Sequence, residues 1–440
     1  MGYWVIELLG YWVRGLFQRN PLTMPAVLTF FKIATFARMN NIQRICSILL
    51  GLLLLAACSQ TDRTAPMGAS LRPTPPPLDP NMEAFLKDFH RFFEDSMILT
   101  KTPGAAVVVV KDGQVVFFHG YGVRAEGRPE PVDEHTVFRI GSLSKGFAGI
   151  LTGLLVDEGK LKWHEKVQDR LPDFNMKDPE QAQRLEIRHL LTQTTGLPYH
   201  SFSNLIENGF DQNYVMTQFP LARLAGREGE YFSYQNAAFC LIEPILQSAS
   251  GKPYNELLVE KIFRPVGMAN ASCDYESMVN SPNHALPHRW RGNGWVADSI
   301  THRYYNFAAA GGVNASISDM GEWLKALLGH KPEAVPADVL KDVFTPVIGT
   351  GLERPVLRGF IDRDSAFYAK GWRILEHGGD TLVYHAGYVN NFHSEIALNR
   401  RDGIGICVLF NATSPMSGKC IAAFFRRWEK VRGKMEPPQS

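Results

Sequence analysis

One serine and one lysine in this chain have a spacing that permits nucleophilic catalysis. The segment Gly141-Ser142-Leu143-Ser144-Lys145 opens an apolar stripe at helical spacing, which predicts a helix with Ser142 and Lys145 one turn apart on one face. Serine becomes a good nucleophile when a neighbour takes its proton, and a lysine desolvated in a cleft can do so. The free backbone N–H groups at a helix start can also stabilise an oxyanion. In the alternative interpretation, Ser142 is only an N-cap and Lys145 is a solvated first-turn residue.

Two further motifs strengthen the catalytic interpretation. Tyr234-Gln235-Asn236 precedes an apolar run over residues 237–246, which predicts a second helix. His385-Ala386-Gly387 follows a β-like run over residues 381–384 and precedes Tyr388.

In this order and at these separations, the three motifs resemble those of the penicillin-recognising serine hydrolases. That family includes class C β-lactamases, D-alanyl-D-alanine carboxypeptidases and related esterases. Flanking segments match the family as well, namely residues 138–142, 189–198, 309–313 and 318–320. The resemblance extends over residues 82–432.

The resemblance implies a role for each motif residue. Ser142 would be the acylated nucleophile and Lys145 its hydrogen-bonded activator. Tyr234 would relay protons to the leaving group and later assist the attacking water. Asn236 would bind the amide carbonyl of the substrate or hold Lys145 in place. The backbone N–H groups of Ser142 and Tyr388 would form the oxyanion hole.

The third motif departs from the class C pattern. The class A sequence Ser-Asp-Asn is absent and Tyr-x-Asn stands in its place, which favours the class C and esterase branch. Class C β-lactamases usually carry Lys-Thr-Gly where this chain has His385-Ala386-Gly387, a triplet more similar to that of certain D-alanyl carboxypeptidases and esterases. The resemblance places Asn236, His385, Gly387 and Tyr388 at the substrate. Because histidine loses its charge near neutral pH, we expect binding of a substrate carboxylate to weaken as pH rises.

The segments between the motifs predict the elements that position them. Residues 82–97 and 419–432 are amphipathic at helical spacing, and residues 154–310 are mostly helical in pattern. The β runs lie at residues 105–110, 115–119, 394–398 and 404–410. We therefore predict an α/β (α+β) fold in which an antiparallel sheet is flanked by terminal helices and carries an inserted, mostly helical lobe. The resemblance implies that this fold is β-lactamase/transpeptidase-like.

The N-terminal region has the features of a targeting segment. The thirteen apolar residues 45–57 are too few to span a bilayer, which needs about 20, but they suit the h-region of a signal peptide. Leu55-Ala56-Ala57-Cys58 resembles a bacterial lipobox, whose cysteine receives lipid and becomes the mature N-terminus. Ser59 after it is similar to the pattern of outer-membrane lipoproteins. A secretory signal cut at Ala57, or an uncleaved anchor, is the alternative.

These features predict four regions. Residues 1–38 are interpreted as a spurious extension, with translation starting at Met39, and residues 39–57 as a lipoprotein signal peptide. Residues 58–80 form a proline-rich tether, and residues 81–435 form the hydrolase domain. We expect a lipid-anchored protein of the bacterial cell envelope, on the periplasmic side of the outer membrane.

Composition and missing motifs exclude other classes. With 45% hydrophobic and 11% aromatic residues, the chain is expected to fold, and its net charge of +2 argues against nucleic-acid binding. There is no Gly-x-Ser-x-Gly and no His-Glu-x-x-His motif. The histidines at positions 189, 200, 284, 288 and 302 lack metal-ligand spacing, so no metal or other cofactor is predicted. Cysteines 240, 273, 407 and 420 could form one or two bridges or remain thiols.

The sequence thus predicts an envelope serine hydrolase that forms an acyl-enzyme on Ser142. Its substrate would be a D-alanyl peptide of the cell wall, a β-lactam or a small ester. The alternative is a non-catalytic envelope protein that retains the fold as a binding module.

Overall fold

The structure is a computed structural model that describes residues 78–351 and 364–434. The predicted signal peptide, the lipobox and nearly all of the tether therefore lie outside the described residues. Among the described residues, no helix combines the length and the apolar character that crossing a bilayer requires.

An eight-stranded antiparallel sheet forms the centre of the fold, in the order β2-β1-β12-β11-β10-β9-β8-β7. Two-stranded pairs β3-β6 and β4-β5 lie outside it. The strands are β1 Gly104–Lys111, β2 Gln114–Gly122, β3 Val137–Arg139, β4 His288–Arg291, β5 Gly294–Ala297, β6 Asn314–Ser316, β7 Ile348–Gly349, β8 Ser365–Tyr368, β9 Arg373–His377, β10 Asp380–Val389, β11 Phe392–Asn399 and β12 Ile404–Phe410.

The helices fall at the two ends of the domain and in the segment between β2 and β8. They are α1 Pro80–Thr100, α2 Ser144–Asp157, α3 Val167–Arg170, α4 Pro179–Arg184, α5 Ile187–Leu191, α6 Ser203–Glu207, α7 Gln212–Gln218, α8 Ile242–Ser250, α9 Tyr254–Leu258, α10 Arg264–Val266, α11 Tyr275–Asn280, α12 Ala308–Gly311, α13 Ile317–Leu327, α14 Ala337–Phe344 and α15 Cys420–Val431. Short 3-10 turns occur at Gly141–Leu143, Phe219–Leu221, Phe239–Leu241 and Arg432–Lys434, and a π turn at Val259–Phe263.

The terminal helices α1 and α15 cover one face of the sheet. Their aromatic side chains interlock, with the Phe424 ring 5.0 Å from Phe85 and 5.1 Å from Phe89 in edge-to-face contacts. Phe93 stacks on Phe410 of β12 at 5.9 Å, which joins the helix pair to the sheet. Apolar burial contributes about 25 cal/mol per Å², so these buried rings stabilise the packing of the terminal helices on the sheet.

The helical lobe packs against the opposite face through a second and larger core. Helix α2 runs through its centre, and Phe147 of this helix stacks on Trp323 of α13 at 4.3 Å. Val108 and Leu409 of the sheet belong to the same core. The α2 helix is therefore buried from Ser144 to Leu155, and its start is held against the sheet.

The predicted fold class is confirmed, and most predicted elements lie close to their expected positions. An Asp-Gly pair, Asp112-Gly113, joins β1 to β2, and both residues have positive φ, 49° for Asp112 and 75° for Gly113, as a tight hairpin turn requires. The helix expected over residues 237–246 differs, because it begins as a 3-10 turn at Phe239 and becomes α-helical only at Ile242. All four cysteines of the described residues are free and buried, so the thiol alternative holds for them.

Candidate active site

The Ser142 segment is a tight turn between β3 and α2. Gly141 has φ +50°, a conformation that favours glycine, and residues 141–143 form a 3-10 turn that leads directly into the helix. The Ser144 hydroxyl donates to the Gly141 carbonyl at 2.7 Å and accepts from the Val313 N–H at 3.0 Å. Ser144 is thereby fully engaged in the turn, whereas the neighbouring Ser142 is partly exposed.

Lys145 lies fully buried beneath Ser142. Its Nζ atom is 3.2 Å from Ser142 Oγ, and it donates to Asn236 Oδ1 at 2.8 Å and to the Ala310 carbonyl at 3.0 Å. The pKa of Lys145 is lowered from 10.5 to about 7, mainly by burial, with a raising effect of Cys240 and a lowering effect of the Arg373 charge. A neutral amine has two N–H donors and one lone pair. With both donors used, the lone pair is available to the Ser142 hydroxyl.

Tyr234 and Asn236 enclose the lysine from the lobe side. The Tyr234 ring centroid is 4.8 Å from Lys145 Nζ, and Asn236 Nδ2 donates to the Tyr304 hydroxyl at 3.3 Å. Gln193 anchors their loop, because its side-chain oxygen accepts from the Gln235 N–H at 2.6 Å. Of the two roles that the resemblance implies for Asn236, the observed contact is the one that holds the lysine.

The backbone of β10 lies directly against the Ser142 turn. A Cβ atom at Gly387 would lie 2.1 Å from the Ile140 carbonyl oxygen and 2.9 Å from the Ser142 nitrogen, so only glycine fits there. A Cβ atom at Gly141 would lie 2.8 Å from the Tyr388 nitrogen. The two backbone N–H groups expected in the oxyanion hole thus belong to chain segments in direct contact.

The Tyr388 side chain points away from this contact. It is 58% exposed, and its hydroxyl donates to Asn391 Oδ1 at 3.2 Å. The described contacts of Tyr388 with the Ser142 turn are therefore those of its backbone.

The expectation for the His385 side chain requires a correction. The imidazole is fully buried, with Nδ1 2.8 Å from the Ala386 carbonyl and Nε2 3.2 Å from the Tyr368 hydroxyl and 3.3 Å from Arg373 Nη1. Desolvation, followed by the charges of Arg373 and Lys145, holds the pKa of His385 well below 6.5. The ring is therefore neutral at physiological pH, and it packs beneath the site against Tyr368 and Arg373. It is not placed to bind a carboxylate through a charge.

Arg373 and Tyr368 were not found by sequence reasoning. Arg373 is only 3% exposed, and its guanidinium carbon lies 5.2 Å from the Tyr234 ring centroid and 5.4 Å from that of Tyr368. Arg373 lies on β9, where it pairs with Tyr384 of β10, and Tyr368 lies on β8, where it pairs with Arg373. No motif marks them, and only the successive pairing of β8 with β9 and of β9 with β10 brings them to the site.

Glu243 supports the segment that accepts the second lysine hydrogen bond. Its Oε1 atom accepts from the Ala309 N–H at 2.8 Å, next to the Ala310 carbonyl that Lys145 contacts. Desolvation raises the pKa of Glu243 to about 8, so this carboxyl is largely protonated at neutral pH. It places no full negative charge near the lysine. Within the part of the chain that the structure describes, the Ser142 site has no group of three carboxylate, imidazole or thiol ligands for a metal ion.

Comparison with known families agrees with this geometry. The family model described as Beta-lactamase matches residues 89–427, which include all three motifs. The chain belongs to the beta-lactamase family.

Individual relatives of this chain share only about a quarter of their aligned residues with it. Protein flp of Staphylococcus aureus (strain COL) is 26% identical over 322 residues, which cover 72% of this chain and 61% of that protein. Unguisins hydrolase ungD' of Aspergillus campestris is 25% identical over 346 residues, covering 74% of this chain and 62% of the relative. The chain thus spans about three fifths of the length of these curated relatives.

A solved structure supports the same fold. The octameric penicillin-binding protein homologue from Pyrococcus abyssi superimposes with a TM-score of 0.68 at 23% identity, covering 79% of this chain and 77% of that one. The β-lactamase/transpeptidase-like fold is therefore established for this chain.

Proposed function

We propose that this protein is a serine hydrolase that acts through an acyl-enzyme on Ser142. The observation that carries the proposal is the buried Lys145 amine, 3.2 Å from Ser142 Oγ, with its other two hydrogen bonds directed to Asn236 and the Ala310 carbonyl. A binding protein has no need of a lysine buried beneath a serine, because burial of an ammonium group costs free energy. The Aspergillus campestris relative is named as a hydrolase, which supports the same reaction class.

The proposed acylation step uses these groups in order. Ser142 Oγ attacks the acyl carbonyl carbon while its proton passes to Lys145 Nζ, and the negative charge develops on the carbonyl oxygen. The backbone N–H groups of Ser142 and Tyr388 stabilise that charge, and loss of one such donor typically costs about 2.7–4 kcal/mol in the transition state. The proton then passes from Lys145, with Tyr234 as relay, to the leaving group as its bond to the acyl carbon breaks. In the second half of the reaction, a water molecule attacks the acyl carbon with assistance from Tyr234. The bond from that carbon to Ser142 Oγ then breaks, which releases the acid and restores the Ser142 hydroxyl.

The proposed substrates are a β-lactam, a D-alanyl peptide or a small ester. All three present an acyl carbon that a serine can attack, and all three belong to the reactions of the family that the motifs resemble. The His-Ala-Gly triplet favours the peptide and the ester, because the lysine of Lys-Thr-Gly is replaced by a buried neutral histidine.

We further propose that the protein is an envelope lipoprotein joined to the membrane through Cys58. The support is the lipobox-like Leu55-Ala56-Ala57-Cys58 after an apolar run of h-region length. The proline-rich residues up to 80 would then separate the hydrolase domain from the bilayer.

Covalent labelling tests the nucleophile. The purified protein is incubated with a fluorescent fluorophosphonate or a fluorescent penicillin, and the adduct is located by mass spectrometry. We expect one adduct, on Ser142. Ser142→Ala should abolish labelling with little change in melting temperature, because this side chain is at the partly exposed site.

Ser277→Ala is the matched control, since Ser277 is an exposed serine whose hydroxyl donates only to Asp274. It should be labelled like the unmodified protein. An adduct on Ser144, or equal labelling of Ser142→Ala, contradicts the assignment. Absence of any adduct, with a folded protein, would favour the non-catalytic binding module.

A further inference from the structure

Two histidines and a glutamate meet at the edge of the sheet, away from the serine site. His90 and Glu94 lie one turn apart on α1, and His119 lies on β2, the edge strand. Their ligand atoms all lie within 4.8 Å of one another. In the described part of the chain, this is the one group of three imidazole, thiol or carboxylate side chains with such spacing.

A hydrogen bond orients one of the imidazoles. His90 Nδ1 is 2.8 Å from the Tyr121 hydroxyl, so its other nitrogen, Nε2, is left free to face Glu94 Oε1 at 3.5 Å. The His119 ring lies 4.8 Å from the His90 ring and 4.4 Å from that of Tyr121. Metal-bound histidines typically have such a partner on the second ring nitrogen, which fixes their tautomer and direction.

The third member of the group is a carboxylate. Glu94 is exposed at the surface of α1, while His90 and His119 are partly buried, so the group opens to solvent on the carboxylate side. A metal ion could therefore enter from solvent and keep a water molecule as a further ligand.

We propose that His90, Glu94 and His119 form a Zn²⁺ site that joins helix α1 to strand β2. Two imidazole nitrogens and one carboxylate oxygen are a frequent ligand set for zinc, with water in the fourth position. Magnesium and calcium favour sets made of oxygen atoms, so they fit this group less well. Copper(II) and nickel(II) accept the same ligands, which makes them competitors in the test.

The closing movement that zinc requires is small. Zinc lies about 2.0–2.2 Å from nitrogen and oxygen ligands, which places the ligands of a tetrahedral site about 3.3 Å apart. The three side chains must therefore approach by roughly 1–1.5 Å from the 4.8 Å limit of their present separation. None of them is fully buried, so rotation about their side-chain bonds can supply this movement.

Zinc at this position would clamp the first helix of the domain to an edge strand. Helix α1 begins at Pro80, where the proline-rich segment ends, and its contacts to β2 include the ring pair His90–Phe117 at 5.8 Å. Because the ligands come together only in the folded chain, bound zinc stabilises the fold. The site holds no group of the serine machinery, so acylation of Ser142 should not require the metal.

The test uses the full chain with its purification tag removed and its metal stripped by EDTA and dialysis. Zinc chloride is titrated by calorimetry, and the melting temperature is recorded with and without zinc. We expect one Zn²⁺ per chain with micromolar affinity and a rise in melting temperature of about 2–5 °C. Cobalt(II) should bind competitively and give the absorption of a four-coordinate site.

Variants separate this site from adventitious binding. His119→Ala and Glu94→Gln should each weaken zinc binding at least about tenfold and remove the thermal shift. The matched control is His164→Ala, because His164 is exposed and contacts Glu186 on a different part of the surface. Glu94→Gln changes an exposed side chain, so the test remains decisive where His119→Ala lowers stability. Binding weaker than about 1 mM, or affinity unchanged in both variants, overturns the proposal.

Discussion

At the scale of single residues, the proposed acylation of Ser142 depends on the protonation state of Lys145. The amine can accept the Ser142 proton only when it is neutral, and burial lowers its pKa to about 7. Arg373 lowers this pKa as a second positive charge behind Tyr234 and His385, while Cys240 acts in the opposite direction. His385 itself stays neutral, so it contributes a hydrogen-bond partner and no titrating charge in this range.

The second-order rate constant of acylation should therefore rise with pH through about 7 and then level off. Lysine becomes neutral above its pKa, so the rate constant increases with rising pH. Because His385 does not titrate here, carboxylate-bearing substrates and neutral esters should share this profile. Lys145→Met should lower the plateau by about 10²–10⁴-fold, as removal of a general base does. Stopped-flow measurement of acylation between pH 5 and pH 9 gives the midpoint of the pH profile, the height of its plateau and the comparison between the two substrate classes.

Arg373→Met tests the origin of the profile. Removal of the positive charge should raise the pKa of Lys145, so the midpoint should move to higher pH, whereas Arg373→Lys should keep it nearly in place. A general loss of structure would lower the plateau without moving the midpoint. A flat profile for the unmodified protein, or different profiles for the two substrate classes, contradicts this account.

At the scale of elements, the site depends on the close approach of strand β10 to the Ser142 turn. Ser394 of β11 reinforces the approach, because its hydroxyl donates to the Ile140 carbonyl at 2.7 Å. Gly387 permits it, because any side chain there would meet backbone atoms that cannot rotate away. The position of the proposed oxyanion hole therefore depends on how closely the β10 backbone approaches the Ser142 turn.

Gly387→Ala should separate β10 from the turn and misplace the backbone donors. The new Cβ would meet the Ile140 oxygen at 2.1 Å. We expect labelling of Ser142 to slow by about 100-fold or more and the free energy of unfolding to fall by about 1–3 kcal/mol. Labelling kinetics and urea unfolding measure the two effects.

Gly294→Ala serves as the matched control, because a Cβ at that strand position meets nothing within 4 Å. It should change neither quantity. Normal labelling by Gly387→Ala would show that the contact between β10 and the turn does not position the oxyanion donors.

At the scale of the whole molecule, the helical lobe and the terminal helices lie on opposite faces of one sheet. The serine site lies where the helical lobe meets strand β10 of the sheet, whereas α1 and α15 form their core on the other face. Helix α1 directly follows the proline-rich residues, and its start is capped by the Asp79 carboxylate, which accepts from the Asn81 N–H at 2.7 Å.

Lipidation at Cys58 is the prediction that belongs to this scale. Expressed from Met39 in a Gram-negative host, the protein should enter the membrane fraction and incorporate labelled fatty acid. Cys58→Ala should lose the label, while the purified variant keeps its Ser142 reactivity. Several acyl chains hold a protein far more firmly than one, so washing with salt should not release the unmodified protein. Mature protein that carries residues 1–38 would contradict the proposed start.

The sequence alone determined the features that depend on local spacing. The i,i+3 relation brings Ser142 and Lys145 together in any helix, and the Asp-Gly pairs 112–113 and 402–403 mark the turns of the β1–β2 and β11–β12 hairpins. The three motifs, with their order and separation, were enough to predict the fold class and the candidate nucleophile.

Only the tertiary structure decided the features that depend on packing between distant segments. The neutrality of His385 comes from its burial beside Arg373 and Tyr368, which lie 12 and 17 residues away and reach it through strand pairing. The depressed pKa of Lys145 likewise comes from burial, which no residue type specifies. His90 and His119 are far apart in the chain, and only the packing of α1 on β2 joins them. A pKa and a ligand cluster both depend on local dielectric and distance in space, and sequence spacing determines neither.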